Sequence, residues 1–352
     1  MTKANITLKQ GDKTIFEKTT EISPEKAFTQ LIKPEVPFAM EDLYTQMSDS
    51  ETGEVLVSYK PVVLKREEKL PEIVRKPDDP RDIATVEELY LTGSRIQQFH
   101  NPTLNAMDYY QEALKRDPGD IRTNTAVGHN YLKNGDYTKA RACFAKAIKR
   151  LTRDYTRPSD CEPLYLQGLT LKAMGLYDEA ADTLYRATWD YAWHSAAYLE
   201  LAKISSLKGD LMKALREVEE SLSTNSRNNA ATELKSSLLR KTGDLKGAAG
   251  LLEGIIKHDP LDFRAANDYY LAVRESVGKQ KADAMLAELT GRMRDFDQNY
   301  LELAISYLND GFISEAEDVL KRFRGSNPIV NYYLGYIEDK KGNRAEAEKL
   351  FR

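Results

Sequence analysis

The chain changes its hydrophobic rhythm once. Up to about residue 60, apolar and polar residues alternate in short runs; from about residue 82, apolar residues recur at three- and four-residue steps. The second rhythm is clearest over Ile121–Ala147. Gly128 and Tyr131 fall on a first short amphipathic helix, Gly135-Asp136 breaks the chain, and Tyr137, Ala140, Phe144 and Ala147 share one face of a second helix. Gly128 and Ala140 are small enough to let the two helices approach closely, and Tyr131 and Phe144 fill the space around that contact.

The unit returns along the chain. Its turn glycine recurs at Gly175, Gly209, Gly243, Gly311 and Gly342, at steps of 40, 34, 34, 68 and 31 residues. A packing alanine keeps the same register at Ala140, Ala180, Ala214, Ala248, Ala316 and Ala347. Unit-ending prolines do so too: Pro118 to Pro260 is 142 residues, four units of 34 plus the same six-residue excess, and Pro260 to Pro328 is 68. Three residue types with different mechanical roles therefore agree on one period. This pattern resembles the tetratricopeptide-repeat (TPR) family over about residues 82–352. The resemblance implies a mainly α fold, a right-handed superhelix of stacked helix pairs whose first helices line a concave groove. It says little about function, because the fold is a general binding scaffold.

Units start near 82, 119, 161, 195, 229, 261, 297 and 328, about eight in all. The six-residue excess lies in Arg150–Asp160, where Arg150, Arg153 and Arg157 suit either an acidic partner or a solvated, mobile loop, the plainer alternative. The sixth unit departs from the pattern, with Asp268 where a small residue is expected and Gly278 one place late. The eighth stops within its second helix at Leu350-Phe351-Arg352, which are not a polar cap, and this points to a fragment of a longer protein.

Residues 1–60 read differently. Ile6–Lys9 and Lys13–Lys18 flank Gln10-Gly11-Asp12, and Glu54–Tyr59 follows Thr52-Gly53, which predicts three strands. Ser23-Pro24-Glu25 predicts the start of a short helix over Ala27, Phe28, Leu31 and Ile32, stopped by Pro34 and Pro37. The segment is expected to be the end of a larger β-domain or a small β-cap. Residues 61–81 read as an extended linker rich in proline and charge.

A second resemblance rests on Leu70-Pro71-Glu72, Glu87–Gly93, Asp108–Asp120 and Ala187–Tyr198. These runs look like large bacterial proteins in which a β-sandwich similar to galactose mutarotase domains precedes a TPR array. That implies an alternative function, the helical accessory region of a carbohydrate-active protein whose sugar domain lies upstream.

Composition narrows the field further. The net charge of −4 comes from 51 basic and 55 acidic residues mixed along the chain, without the concentrated basic face of a nucleic-acid binder. No apolar run reaches the roughly 18 residues of a membrane span. The first residues lack a signal-peptide core, and a cytoplasmic location is favoured. Cys143 and Cys161 do not form a disulfide framework, and Cys143, beside Phe144, reads as a buried thiol. His100, His129, His194 and His258 show no metal-ligand spacing, and no Gly-rich phosphate loop is present. No cofactor, metal or catalytic residue is expected.

The groove positions implied by the TPR resemblance are Arg122, Thr125, His129 and Lys133 in unit two, and Glu162, Tyr165, Leu169 and Lys172 in unit three. Unit four offers Leu199, Lys203 and Ser206; unit five offers Glu233, Ser237 and Arg240. Asn124 and Asn130 do not reproduce the Lys/Asn set that clamps a peptide carboxylate in some TPR proteins. Tyr185–Tyr198 holds both tryptophans, Trp189 and Trp193, with Tyr191 and His194 beside them. Trp193 and His194 are expected at a turn facing the groove, where aromatic side chains suit peptide or sugar contacts; the plainer alternative is that the tryptophans pack units three and four. The expected function is a non-catalytic scaffold binding a protein or peptide segment.

Overall fold

The computed structural model describes residues 2–22, 28–33, 38–62, 75–99 and 101–352. The chain divides into two units, Met1–Lys76 and Pro77–Arg352.

The first unit is a four-stranded antiparallel sheet. Strands β1 (Thr2–Gln10) and β2 (Lys13–Ile22) form a hairpin through Gly11, whose φ of 56° is the left-handed value that a tight hairpin turn requires. Strands β3 (Leu43–Asp49) and β4 (Val55–Tyr59) extend the sheet in the order β2-β1-β3-β4. Three of these strands were legible in the sequence. β3 was not: every one of its residues is half-buried, so its two faces differ too little for alternation to show. The expected helix is absent over the described residues 28–33, and its start at Ser23–Ala27 lies outside the described residues, as does most of the expected linker.

Among the described residues the second unit holds eight helix pairs. They are α1 (Val86–Gln98) with α2 (Ala106–Arg116), α3 (Ile121–Lys133) with α4 (Tyr137–Leu151), α5 (Glu162–Ala173) with α6 (Tyr177–Ala187), and α7 (Tyr191–Leu207) with α8 (Leu211–Thr224). Then come α9 (Asn229–Thr242) with α10 (Leu245–His258), α11 (Phe263–Val277) with α12 (Lys279–Met293), α13 (Asp297–Asn309) with α14 (Ile313–Arg322), and α15 (Pro328–Lys340) with α16 (Arg344–Phe351).

The Gly-Asp step makes the turn inside a pair. Gly135 takes φ of 75°, ending α3, and the Asp136 carboxylate accepts from Lys139 N to start α4. Asp210 and Asp244 repeat the cap for α8 and α10. Close packing follows from the small residues. A Cβ at Gly128 would lie 2.7 Å from the Phe144 ring, and one at Gly93 would lie 2.6 Å from the Tyr110 ring. Phe144 and Tyr110 are almost fully buried, each contributing roughly 1.5–3 kcal/mol by burial.

The approach to α1 is folded onto the first pair. Arg116 donates to the carbonyls of Pro80, Arg81, Ile83 and Ala84, and Tyr109 Oη donates to the Asp78 carbonyl. The segment between α4 and α5 is tied down as well. Arg150 pairs with Asp117 at 2.6 Å, and Arg157 Nη2 donates to the Trp189 carbonyl at 2.9 Å. Cys143 is half-buried and Cys161 fully buried; burial, with Asp190 and Asp160 adding to it, pushes the Cys161 thiol up to about 11.

Candidate functional site: one face, open at one end and filled at the other

Of the groove positions read from the sequence, Arg122, Thr125, His129, Lys133 and Glu162 line one face. Across α1, α3 and the start of α5 this face forms a cleft of about 670 Å³. Its floor is Tyr110, whose hydroxyl donates to Gln97 Oε1 at 3.1 Å and is pushed up to about 12 by burial. One wall is the α3 stripe of Arg122, His129 and Lys133. The Arg122 guanidinium lies 4.7 Å from the centre of the Tyr90 ring and donates to Glu87 at 3.1 Å, so it is fixed in place and its charge is balanced. His129 is half-buried; burial, helped by the neighbouring Lys133 charge, holds its pKa below the ordinary value, so the ring is neutral near pH 7. Across the cleft, burial and the Asp160 carboxylate raise the Glu162 carboxyl.

Among the described residues, Gln98, His129 and Lys133 make no side-chain hydrogen bond or ion pair. The cleft therefore offers uncommitted amide, imidazole and ammonium groups over an aromatic floor. Such groups bind main-chain amides and a carboxylate. No nucleophile stands beside a base here, and among the described residues no group of three or more His, Cys, Asp or Glu side chains could hold a metal ion.

Between pairs three and four the aromatic side chains are used in packing. Tyr165 and Trp193 stack at 4.9 Å, and Trp193 Nε1 donates to Asp160 Oδ1 at 3.3 Å. Trp193 and His194 lie in the first turn of α7, which starts four residues earlier than the repeat spacing implied. His194 Nδ1 is 3.0 Å from the Thr188 carbonyl, and its ring packs on Tyr198 at 4.7 Å, so neither residue faces the cleft of the first pairs. Trp189 is 40% exposed at the end of α6.

From the end of α5 onward the cations of this face carry ion pairs inside the molecule. Lys172 and Lys203 both bond to the buried Glu200, at 2.7 and 2.8 Å. Burial works to raise the Glu200 carboxyl, but the two lysines outweigh it and hold it low. Arg240 donates to Glu275 at 2.7 Å and to Glu315 at 2.5 Å, joining α9 to α14. Arg264 donates to Asp268, Ser306, Ser237 and Asp310, over the Tyr307 ring at 3.8 Å. The Tyr307 hydroxyl donates to Asp268 Oδ1 at 2.8 Å. Ser206 Oγ donates to the Asp310 carbonyl at 2.6 Å, and a Cβ at Gly311 would sit 3.0 Å from Leu207 Cα, so pair seven touches pair four. Lys172, Lys203 and Arg240 thus carry internal ion pairs. The Asp268 departure from the repeat pattern is the centre of this network, a role that the sequence marked only as an irregularity.

Comparison with known proteins agrees with the fold. A family model for the tetratricopeptide repeat matches residues 126–192 and 301–352, and a model described as the second domain of a YphG-like protein matches residues 1–59. Among solved structures, the chain is similar to the Pseudomonas aeruginosa protein pilF, at 19% identity over 62% of this chain and 95% of that one, with a TM-score of 0.51. A tetratricopeptide repeat protein from Parabacteroides merdae matches at 15% identity over 66% of this chain and 90% of that one, with a TM-score of 0.48. The C-terminal part of a TPR repeat-containing protein from Cytophaga hutchinsonii matches at 11% over 75% and 91%, with a TM-score of 0.45. At these identities the likeness concerns the fold alone. The helical unit has the fold of a tetratricopeptide-repeat-like solenoid, with the repeat model matching within it. Among the described residues no helix is long and apolar enough to cross a membrane.

Proposed function

We propose that the solenoid is a non-catalytic scaffold that holds a peptide or protein segment in the cleft of its first three pairs. The observation that carries this reading is the contrast within one face. Gln98, His129 and Lys133 stand uncommitted in the cleft, while Lys172, Lys203 and Arg240 on the same face are paired inside the molecule. A neutral imidazole and a primary amide serve main-chain groups, and Lys133 serves a carboxylate. The experiment is a peptide array probed with the wild-type chain and with the Gln98→Ala/His129→Ala/Lys133→Ala variant. Peptides held by the wild type and lost by the variant are expected; binding that survives the triple substitution contradicts the reading.

A second reading makes the solenoid the helical accessory region of a carbohydrate-active protein. The match of residues 1–59 to a module described as a second domain favours a multidomain setting. The carbohydrate part rests on the sequence resemblance to proteins with a galactose-mutarotase-like sandwich. Glycan binding by the full-length protein that is lost on removal of an upstream sandwich, but kept on removal of residues 77–352, is the outcome this reading expects; a reading frame without such a sandwich removes its basis.

A further inference from the structure

We infer that the face of pairs four to six is a second binding site, suited to a segment presenting two carboxylates, and that pair seven of the same chain occupies it in cis. This deepens the scaffold reading and rests on it, since it takes the same face of the helices as a binding surface.

Two carboxylates of pair seven meet cations of the receiving face, which also carries Asp268 beside Arg264 and Glu275 beside Arg240. The receiving face supplies Arg240 and Lys241 at the end of α9 and Arg264 on α11. Pair seven supplies the carboxylates, Asp310 from the turn before α14 and Glu315 from α14 itself, which reach Arg264 at 3.0 Å and both Arg240 and Lys241 at 2.5 Å. A main-chain carbonyl is received as well, that of Asp310 by Ser206, across 104 positions of sequence. Stacking of successive pairs does not need the contacts of Glu315 with Arg240 and Lys241 or of Asp310 with Ser206, because they reach back to pairs five and four. Carboxylates held by guanidinium groups, with a carbonyl held by a hydroxyl, are the contacts by which a groove takes a peptide.

The cis fit is incomplete. Arg240 is 6% exposed, yet its Nε has no acceptor among the described residues, and Glu315 Oε2 has no donor. A carboxylate entering in the planar fork geometry would engage two guanidinium N–H groups of Arg240 at once. The entry to pair seven is also strained. Arg294 and Asp295 are consecutive non-glycine residues at φ of 56° and 49°, a left-handed pair held only by the surrounding structure. An acidic segment offered in trans competes for the same cations and releases pair seven.

The test uses the full chain and fluorescein-labelled decaglutamate at low salt, read by anisotropy, with hydrogen exchange at Ser206 and Leu207 as the report on pair seven. The Asp310→Asn/Glu315→Gln variant removes the cis carboxylates with little change of shape. It should exchange faster at Ser206–Leu207 and bind the probe about tenfold more tightly, a shift of about 1.4 kcal/mol, and adding Arg240→Gln should abolish the gain. Equal affinity in an opened variant overturns the inference, as does a gain that survives Arg240→Gln. Should the variant fail to fold, saturating decaglutamate on the wild type should speed exchange at Ser206–Leu207; unchanged exchange overturns the inference. In a Lys133→Ala background the gain from Asp310→Asn/Glu315→Gln and its loss on Arg240→Gln should persist, so failure of the first cleft and failure of this site are read separately.

Discussion

Pairs one to three and pairs four to seven are made by the same small-against-large packing rule, yet they treat their shared face oppositely. In the first region an ion pair between neighbouring units, Arg122–Glu87, lies at the surface with side chains 48% and 56% exposed. In the second, Arg240–Glu315 joins more distant units with side chains 5% and 7% exposed. Exposed pairs add little to stability, whereas removing one partner of a buried pair leaves a costly lone charge. The lesson is that a repeat rule fixes how neighbours stack, while a few residues outside the rule decide whether the groove stays free.

The strongest way to break the contrast is to remove the centre of the filled region. Arg264→Ala strands the buried Asp268 and Asp310 carboxylates, and denaturant unfolding should show a loss of about 3–5 kcal/mol. Stability within experimental error of wild type would mean that the network does not hold this region together. The same glycine substitution sharpens the comparison. Gly135 and Gly311 both have positive φ, 75° and 87°, but a Cβ at Gly135 meets nothing within 4 Å, whereas one at Gly311 meets the Leu207 backbone. Gly135→Ala should cost roughly 1–2 kcal/mol for the left-handed backbone alone; Gly311→Ala should cost clearly more, and equal costs would show that pair seven does not press on pair four.

A pH effect separates the regions further. Burial and the Asp262 carboxylate push Glu233 from its ordinary 4.5 up to about 9, so the folded chain holds a proton there that the unfolded chain has released. The folded state binds more protons across that window, so the stability this group contributes falls as pH rises from about 4.5 through about 9. Glu233→Gln should flatten that decline in melting temperature measured across the window; an unchanged slope contradicts the assignment. The smallest stability effect is expected at Lys133→Ala, within about 0.5 kcal/mol, because that side chain is exposed. Its effect should appear in peptide affinity instead.

The solenoid was legible in the sequence because Gly135, Ala140 and Phe144 have mechanical roles that recur at a fixed step. The open cleft was legible in part, since Arg122, His129 and Lys133 follow from groove positions of one repeat. What the sequence could not show is contact between repeats far apart. Arg240 looks like a free groove cation until Glu315 returns from pair seven, 75 residues on, whereas Lys203 is taken up by Glu200 of its own helix. Asp268 did signal an exception, because a carboxylate in a packing position needs buried donors, but its partners Arg264 and Tyr307 become visible only in three dimensions. Trp193, for which packing of units three and four was the plainer alternative, stacks on Tyr165 at the joint between those pairs.

The most direct measurement is a pair of double-mutant cycles, Arg240→Ala with Glu315→Ala and Arg122→Ala with Glu87→Ala, each read by denaturant unfolding at two salt concentrations. The account predicts a coupling of roughly 1–3 kcal/mol for Arg240–Glu315 that salt barely changes, and a far smaller, salt-sensitive coupling for Arg122–Glu87. Additive effects of Arg240→Ala and Glu315→Ala would contradict it, because two side chains that do not interact cannot close the groove.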